Sequence, residues 1–399
     1  MKVAQFSTSE GGGAGIAVKR LSEALRLQEV ESDIITLNDF TNDSMLYKKG
    51  IIKLDYIISN IVSKSNKTYP FSTGYIGIEN RKLKDIVQKY DVIHIHWINN
   101  GFLSTSNLKY LVDNSKKIVI TMHDSWFFTG GCHVKLGCDG YINKCNNCKY
   151  TNKAFKNIAE KNQKIKGELL NNNKVNVITP SEWLMRQVEV SSIKIPNIIN
   201  IKNCIDDKYS FLQSRNDVRK ELGLDKDKKY VMIIMANLTD KHKGGKYIKE
   251  ILERLNSDIE VLLVGDDTNI ELLDLRGNYK ALGYISDETK LKKIYYASDA
   301  LINPTIDDNL PYVLIESMLM GTPVISFNVG GIPEIVDKDV NGYLAQIGDV
   351  SEIINGINKI IYSNKYLDIR KSCSEKIKRE FNMDGIAKKH IQVYKGEDI

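Results

Sequence analysis

No run of eighteen apolar residues occurs in the 399-residue chain, so no membrane-spanning helix is expected. The opening residues, MKVAQFSTSEGGG, have neither an apolar core nor a cleavage site. They do not read as a secretory leader, which makes the cytoplasm the expected location. No G-K-[ST] follows the glycines at 11–15, so a P-loop is excluded, and Ile16 stands where G-x-G-x-x-G needs its last glycine. No basic helix is interleaved with aromatics and no zinc-finger histidine pair occurs, which removes nucleic acid from the expected partners.

What is present is the composition of a soluble globular protein, 42% hydrophobic and 27% charged, long enough for two domains. The net charge of +6 is uneven. Residues 1–180 hold 25 Lys and Arg against 16 Asp and Glu, a balance of +9, so the remainder totals −3. A basic half suits an anionic membrane surface or a phosphate-bearing acceptor. An ordinary solvated surface accounts for it as well. The expected location thus includes the inner face of the cell membrane.

Four of the six cysteines cluster. Cys132, Cys138, Cys145 and Cys148 follow the pattern C-x5-C-x6-C-x2-C, with His133 adjacent. In a reducing compartment such a loop, 132–148, points to metal before disulfide, and four thiolates would close a structural zinc site. Only the last pair has knuckle spacing, so free thiols and disulfides stay open. Cys204 and Cys373 stand alone and read as packing residues.

Apolar strands are predicted at 3–6, 33–37, 91–96, 117–121 and 174–179, with a helix at about 16–27 after the glycine loop. Residues 40–80, with Pro70, Gly74 and Gly77, read as an irregular insertion with some helix. The pattern breaks at 195–207 around Pro196. It restarts with strands at 230–236, 259–264, 279–282, 300–303 and 323–327. Strands alternating with helices imply parallel sheets covered on both faces. The fold class is therefore α/β, two doubly wound Rossmann-like domains. The expected division is 1–198, 199–380 and a terminal helical segment 381–399. Ligands of such sheets sit beyond the carboxyl ends of the strands.

The most informative stretch is NPTIDDNLPYVLIESMLMGTPVISFNVGGIPEI, residues 303–335. Asp308 and Glu316 bracket a short helix that Pro311 opens and Gly321 stops. Free amides at the helix start, near Asn309 and Leu310, suit phosphate, and a second amide nest is expected at Gly330 and Gly331. Glu316, about one and a half turns in, could accept hydrogen bonds from sugar hydroxyls. Upstream, Lys243 in the run TDKHKGG is a compact cation able to reach a diphosphate.

This stretch resembles the donor-sugar motif of the retaining glycosyltransferases of family 4, which have the GT-B fold, two Rossmann-like domains facing across a cleft. Asp308 departs from the Glu usual at the first position of E-x7-E. The runs HIHW at 94–97, TMHDSW at 121–126 and FFTGGCHV resemble a subgroup associated with surface polysaccharide assembly. The resemblance implies retaining transfer of a hexose-type sugar from a UDP- or GDP-sugar to a glycan or polyprenyl-linked acceptor, with no cofactor or metal needed for catalysis. It places the N-terminal domain on the acceptor side and the C-terminal domain on the donor side. It gives Lys243, with His242 beside it, to the donor phosphates, and Asp308 to the transferred sugar. Glu316 falls to the ribose, His123 to the donor sugar or reacting centre, and Gly12 and Gly13 to the donor phosphate or acceptor. The loop at Gly283 and Tyr284 would meet the base through its backbone. It also implies that the terminal helix crosses back to the N-terminal domain. His94 and His96 read as packing residues. Two other readings remain, a GT-B enzyme of another class such as a sugar-nucleotide epimerase, and a non-catalytic GT-B partner subunit.

Overall fold

The computed structural model describes residues 1–41, 44–64, 71–206 and 213–398; Pro70 and Asp207 lie outside them. The short apolar runs form strands because each is flanked by turn or helix, and the central ones are buried on both sides. β1 (Lys2–Phe6), β2 (Glu31–Ile35), β3 (Val92–Ile95), β4 (Ile118–Thr121), β5 (Val175–Thr179) and β6 (Ile198–Asn200) make one sheet. Its order is β2-β1-β3-β4-β5-β6 and its pairings are parallel. β7 (Lys229–Asn237), β8 (Ile259–Asp266), β9 (Tyr279–Ala281), β10 (Ala300–Asn303), β11 (Val324–Phe327) and β12 (Gly342–Ala345) make the other. That order is β12-β11-β10-β7-β8-β9, again parallel.

The chain separates into two units, Met1–Cys204 with Met383–Ile399, and Ile205–Asn382. The division expected at 198/199 runs instead through β6, where Ile198 and Ile199 pair with Val177 and Ile178. These edge residues extend the first sheet, so the first unit keeps them. The terminal helix Met383–Lys395 begins two residues later than the expected segment and packs in the first unit. There Ile386, Ala387, Val393 and Tyr394 join Val3, Leu21, Leu25, Val92 and Val119 in one apolar cluster. The opposite face of the same sheet packs Phe6, Ile93, Ile95, Ile118 and Ile120 against Trp126.

Two local differences have physical causes. The first helix runs Gly12–Arg26, so most of the glycine run forms its opening turn. The insertion holds an 18-residue helix, Met45–Val62, capped by Ser44, whose hydroxyl accepts the Tyr47 amide at 3.3 Å.

The second unit has a buried charge centre at the start of β10. Asp299 is 1% exposed and pairs with Arg215 and Arg219, each at 2.8 Å, while the Tyr230 amide donates to it at 2.7 Å. Burial alone would raise its pKa, but the two guanidinium groups and the amide outweigh this and hold it below the usual carboxylate range. Asp299→Asn leaves the buried Arg219 and the half-buried Arg215 under-compensated. It is expected to cost about 3 kcal/mol or more, read by calorimetry as a lower unfolding temperature.

Four histidines of the first unit are held neutral by burial. His94 and His96 are lowered well below their ordinary value, and His123 and His390 to about 4. The unfolded chain takes up these protons near pH 6.5 while the folded unit withholds them, His123 and His390 until about pH 4, so stability falls as pH drops below 6.5. Asp55, pushed up to about 6 by burial, acts in the opposite sense. The three tryptophans, Trp97, Trp126 and Trp183, all lie in the first unit. Urea unfolding followed by tryptophan fluorescence is expected to show a lower midpoint at pH 5 than at pH 7; equal midpoints would refute the burial argument.

Candidate functional site

In each sheet the chain leaves one strand in one direction and returns on its other side. This switch falls between β7 and β10 in the second unit and between β1 and β3 in the first. At such a point the loops beyond the strand ends diverge and leave room for a ligand.

The loop after β7 is built by side chains that fold back on their own backbone. Asn237 accepts the Thr239 amide at 2.8 Å, and Asp240 accepts the amides of His242 at 2.7 Å and Lys243 at 3.3 Å. The His242 carbonyl accepts the Ile306 amide at 3.0 Å, which ties this loop to the one after β10. Gly244, at φ +87°, makes the approach possible, since a Cβ there would stand 1.9 Å from the Pro304 carbonyl oxygen. Lys243 is thereby set beside Asp308, with Nζ to Oδ2 at 2.5 Å. Its side chain is 44% exposed and that of Asp308 is 16% exposed. Burial would lower the Lys243 pKa, yet Asp308, with Asp240 and Asp307, raises it on balance. The ammonium is therefore fully charged at neutral pH.

The loop after β11 closes on the same carboxylate. Gly330 has φ +60°, and a Cβ there would lie 1.7 Å from the Asp308 carbonyl oxygen. The Gly331 amide donates to that oxygen at 3.2 Å. This corrects the expectation of two free amides, because the Gly331 N–H is spent on positioning Asp308. The helix Tyr312–Leu319 follows, with Pro311 as its cap and Gly321 just past its end. Glu316, half-buried, accepts from the Tyr295 hydroxyl at 3.1 Å. Asn309 is half-buried, whereas the Leu310 side chain is buried. Gly283 and Tyr284 sit apart, past β9, where the Gly283 carbonyl accepts the Gly265 amide at 3.0 Å and Tyr284 is 73% exposed.

Two Asp-Lys-Asp triplets, at 225–227 and 337–339, precede β7 and β12 and so lie at the opposite end of the sheet. Asp337 is paired with Lys376 and Asp339 with Lys359. Neither triplet stands at the Lys243 loop.

In the first unit, nothing approaches within 4 Å of a Cβ built on Gly12 or Gly13. The strand-end histidines form a relay that the sequence did not disclose. The Gln5 amide donates to Ser32 at 2.7 Å, which turns its carbonyl toward His96 Nε2 at 3.0 Å. His96 Nε2 must then carry its proton, and neutral His96 accepts through Nδ1 from His123 Nε2 at 3.0 Å. His123 is thus fixed with its proton on Nε2 and an acceptor at Nδ1. His94 bonds Tyr394 at 2.7 Å and Thr121 at 2.8 Å, a structural role. Asp124 is a hub. It accepts from Trp97 at 2.9 Å, the Trp126 amide at 2.8 Å and His133 at 2.6 Å. His133 therefore serves Asp124. The only sequence signal for this hub was its place directly after His123.

Cys132, Cys138, Cys145 and Cys148 are free thiols bordering one cavity. Among the described residues no group of three or more His, Cys, Asp or Glu is arranged to hold a metal ion. Cys138 and Cys148 pack against Cys132, Val62, Phe71 and Tyr150, while Cys145 packs in the main core and accepts the Gly130 amide at 3.1 Å. Burial pushes the Cys132 thiol well up and the Cys145 thiol to about 12. The residues as placed do not fit the expected zinc.

Residues 214–380 match the family described as glycosyl transferases group 1. An uncharacterized glycosyltransferase of Methanocaldococcus jannaschii is 28% identical over 193 residues, covering 46% of this chain and about half, 49%, of that relative. A UDP-Gal:alpha-D-GlcNAc-diphosphoundecaprenol alpha-1,3-galactosyltransferase of Escherichia coli is 26% identical over 224 residues, 51% of this chain and 54% of its own length. The crystal structure of HepE from Anabaena in complex with UDP and glucose superposes with a TM-score of 0.67 at 17% identity, covering 99% of this chain and 100% of that one. The chain has the GT-B fold of glycosyltransferases, and its residues 214–380 match the glycosyl transferases group 1 family.

Proposed function

We propose that the protein is a retaining, family 4-type glycosyltransferase. It moves a hexose-type sugar from a UDP- or GDP-sugar to a glycan or polyprenyl-linked acceptor in surface polysaccharide assembly, and needs no catalytic divalent metal. The observation that carries this reading is the Lys243–Asp308 pair, held at a topological switch point by two glycine contacts. Support for the donor class comes from HepE, a fold neighbour solved with UDP and glucose. Support for a lipid-linked acceptor comes from the Escherichia coli relative named for UDP-Gal and GlcNAc-diphosphoundecaprenol.

Departure of the nucleoside diphosphate is the step that needs positive charge. In the ligand-free pair, Asp308 neutralises Lys243. A diphosphate brings more negative charge and more acceptor oxygens than one carboxylate, so it draws the ammonium to itself. Asp308, released, accepts hydroxyl hydrogens of the transferred hexose and steadies positive charge developing on its ring. Glu316, anchored by Tyr295, accepts from the ribose hydroxyls. His123 contacts the donor hexose or the reacting centre. Two-carboxylate hydrolase chemistry is not invoked, because both carboxylates bind the donor.

The test is transfer from UDP- and GDP-hexoses to polyprenyl-diphosphate-linked sugars, with product mass and anomeric configuration recorded. Wild-type protein is expected to give one product with retained configuration. Glu316→Ala is expected to reduce transfer on the order of 100-fold with an unchanged circular dichroism spectrum; a fully active variant would remove Glu316 from the site. Asp308→Asn separates the two roles of that carboxylate. It is expected to lower transfer while binding of the free nucleoside diphosphate stays equal or tightens, because Lys243 no longer has a competing partner. Weaker nucleotide binding in this variant would contradict the exchange of partners.

A further inference from the structure

The helix Met45–Val62 carries an apolar face turned away from the protein as well as one turned toward it. A helix on a soluble protein buries its apolar stripe and shows its polar one. Here Asp55, Ser59 and Val62 are buried and Ile51 and Ile52 are half-buried against the core. At about 100° per residue, the face opposite them is Leu46, Gly50, Leu54, Ile57 and Ile61. Leu46 is 85% exposed, and Leu54, Ile57 and Ile61 are exposed as well. Tyr47 adjoins this surface, and Met45 and Tyr56 are exposed beyond its lysine edge. Of the nineteen exposed large apolar side chains among the described residues, seven fall within this one helix. That concentration separates the patch from the scattered apolar side chains any surface carries.

The charges on the helix select its partner. Lys49 and Lys53 are exposed along one edge of the apolar face, and Lys64 follows just beyond the end. The sole acidic residue of the helix, Asp55, points inward, where the backbone amides of Gly101 and Asn100 hold it. The outward face is therefore apolar with a purely basic margin. A second copy seated on it would bring lysines toward lysines and supply no acid. An anionic lipid surface supplies both an apolar layer and phosphates at its edge.

We propose that this helix lies in the headgroup layer of an anionic bilayer. Leu46, Leu54, Ile57 and Ile61 enter the acyl boundary, and Lys49 and Lys53 meet lipid phosphates. The inference stands on the helix alone and does not need the transferase reading. It gives a physical use to the positive balance of residues 1–180, and it would confine the protein to the surface where polyprenyl-linked sugars are displayed.

The test is flotation of the full-length protein with vesicles of phosphatidylcholine alone and of an equal mixture of phosphatidylcholine and phosphatidylglycerol. Binding is expected to the anionic vesicles and to be weakened by salt. Leu54→Ser with Ile57→Ser and Ile61→Ser, and separately Lys49→Glu with Lys53→Glu, are each expected to weaken it roughly tenfold or more. These positions are exposed, so circular dichroism and the urea midpoint should not move. Absence of binding to anionic vesicles, or equal binding by the variants, overturns the proposal. So does a concentration-dependent dimer in light scattering that the serine variant abolishes, since a second copy would then cover the face.

Discussion

The candidate donor site depends on backbone meeting backbone without an intervening side chain. Gly244 lies against Pro304 and Gly330 against Asp308, each closer than any Cβ permits. These two contacts draw the loops after β7, β10 and β11 into one place. Without them Lys243 and Asp308, 65 residues apart in the chain, would have no reason to pair. The parallel sheet supplies the direction, because every strand delivers its following loop to the same edge. The glycines supply the closeness. Charge then acts across a short distance in a half-buried setting, where it is worth more than in open water.

The first unit uses the same architecture for a different kind of group. Its switch point presents open backbone at Gly12 and Gly13, and its neighbouring strand ends carry neutral imidazoles in place of charges. The relay from Ser32 through Gln5 and His96 to His123 fixes a tautomer with four ordinary hydrogen-bonding groups. A nitrogen locked as an acceptor suits recognition of a hydroxyl. It does not suit proton donation at neutral pH, because burial has lowered the His123 pKa to about 4. The Asp124 hub serves a related purpose, tying Trp97, Trp126 and His133 into one rigid loop beneath His123.

The longer strands were legible because each is an apolar run of ordinary length bounded by turn residues. β6 and β12 were not. β6 is three half-buried residues inside a stretch that reads as a linker, and β12 begins with Gly342 and ends with Ala345, both poor strand formers. The helix Met45–Val62 was hidden in an apparent insertion because its apolar residues surround it and leave no single stripe to count. At the candidate site, sequence proposed residues but not their partners. The pairing of Lys243 with Asp308, the use of the Gly331 amide and the anchoring of Glu316 by Tyr295 are long-range contacts with no local signature. The cysteine spacing pointed to metal; the four thiols do border one cavity, but among the described residues no three are arranged to hold an ion.

The central claim is that the Lys243 ammonium leaves Asp308 for a nucleoside diphosphate. Calorimetric titration of the protein and of Lys243→Ala with UDP, GDP, ADP and dTDP tests it most directly. The account predicts that one of these nucleotides binds the wild-type protein and binds Lys243→Ala at least about tenfold more weakly, as expected for loss of a charge-assisted contact. Binding of equal strength in the variant, or no binding of any of the four to the wild-type protein, would contradict it.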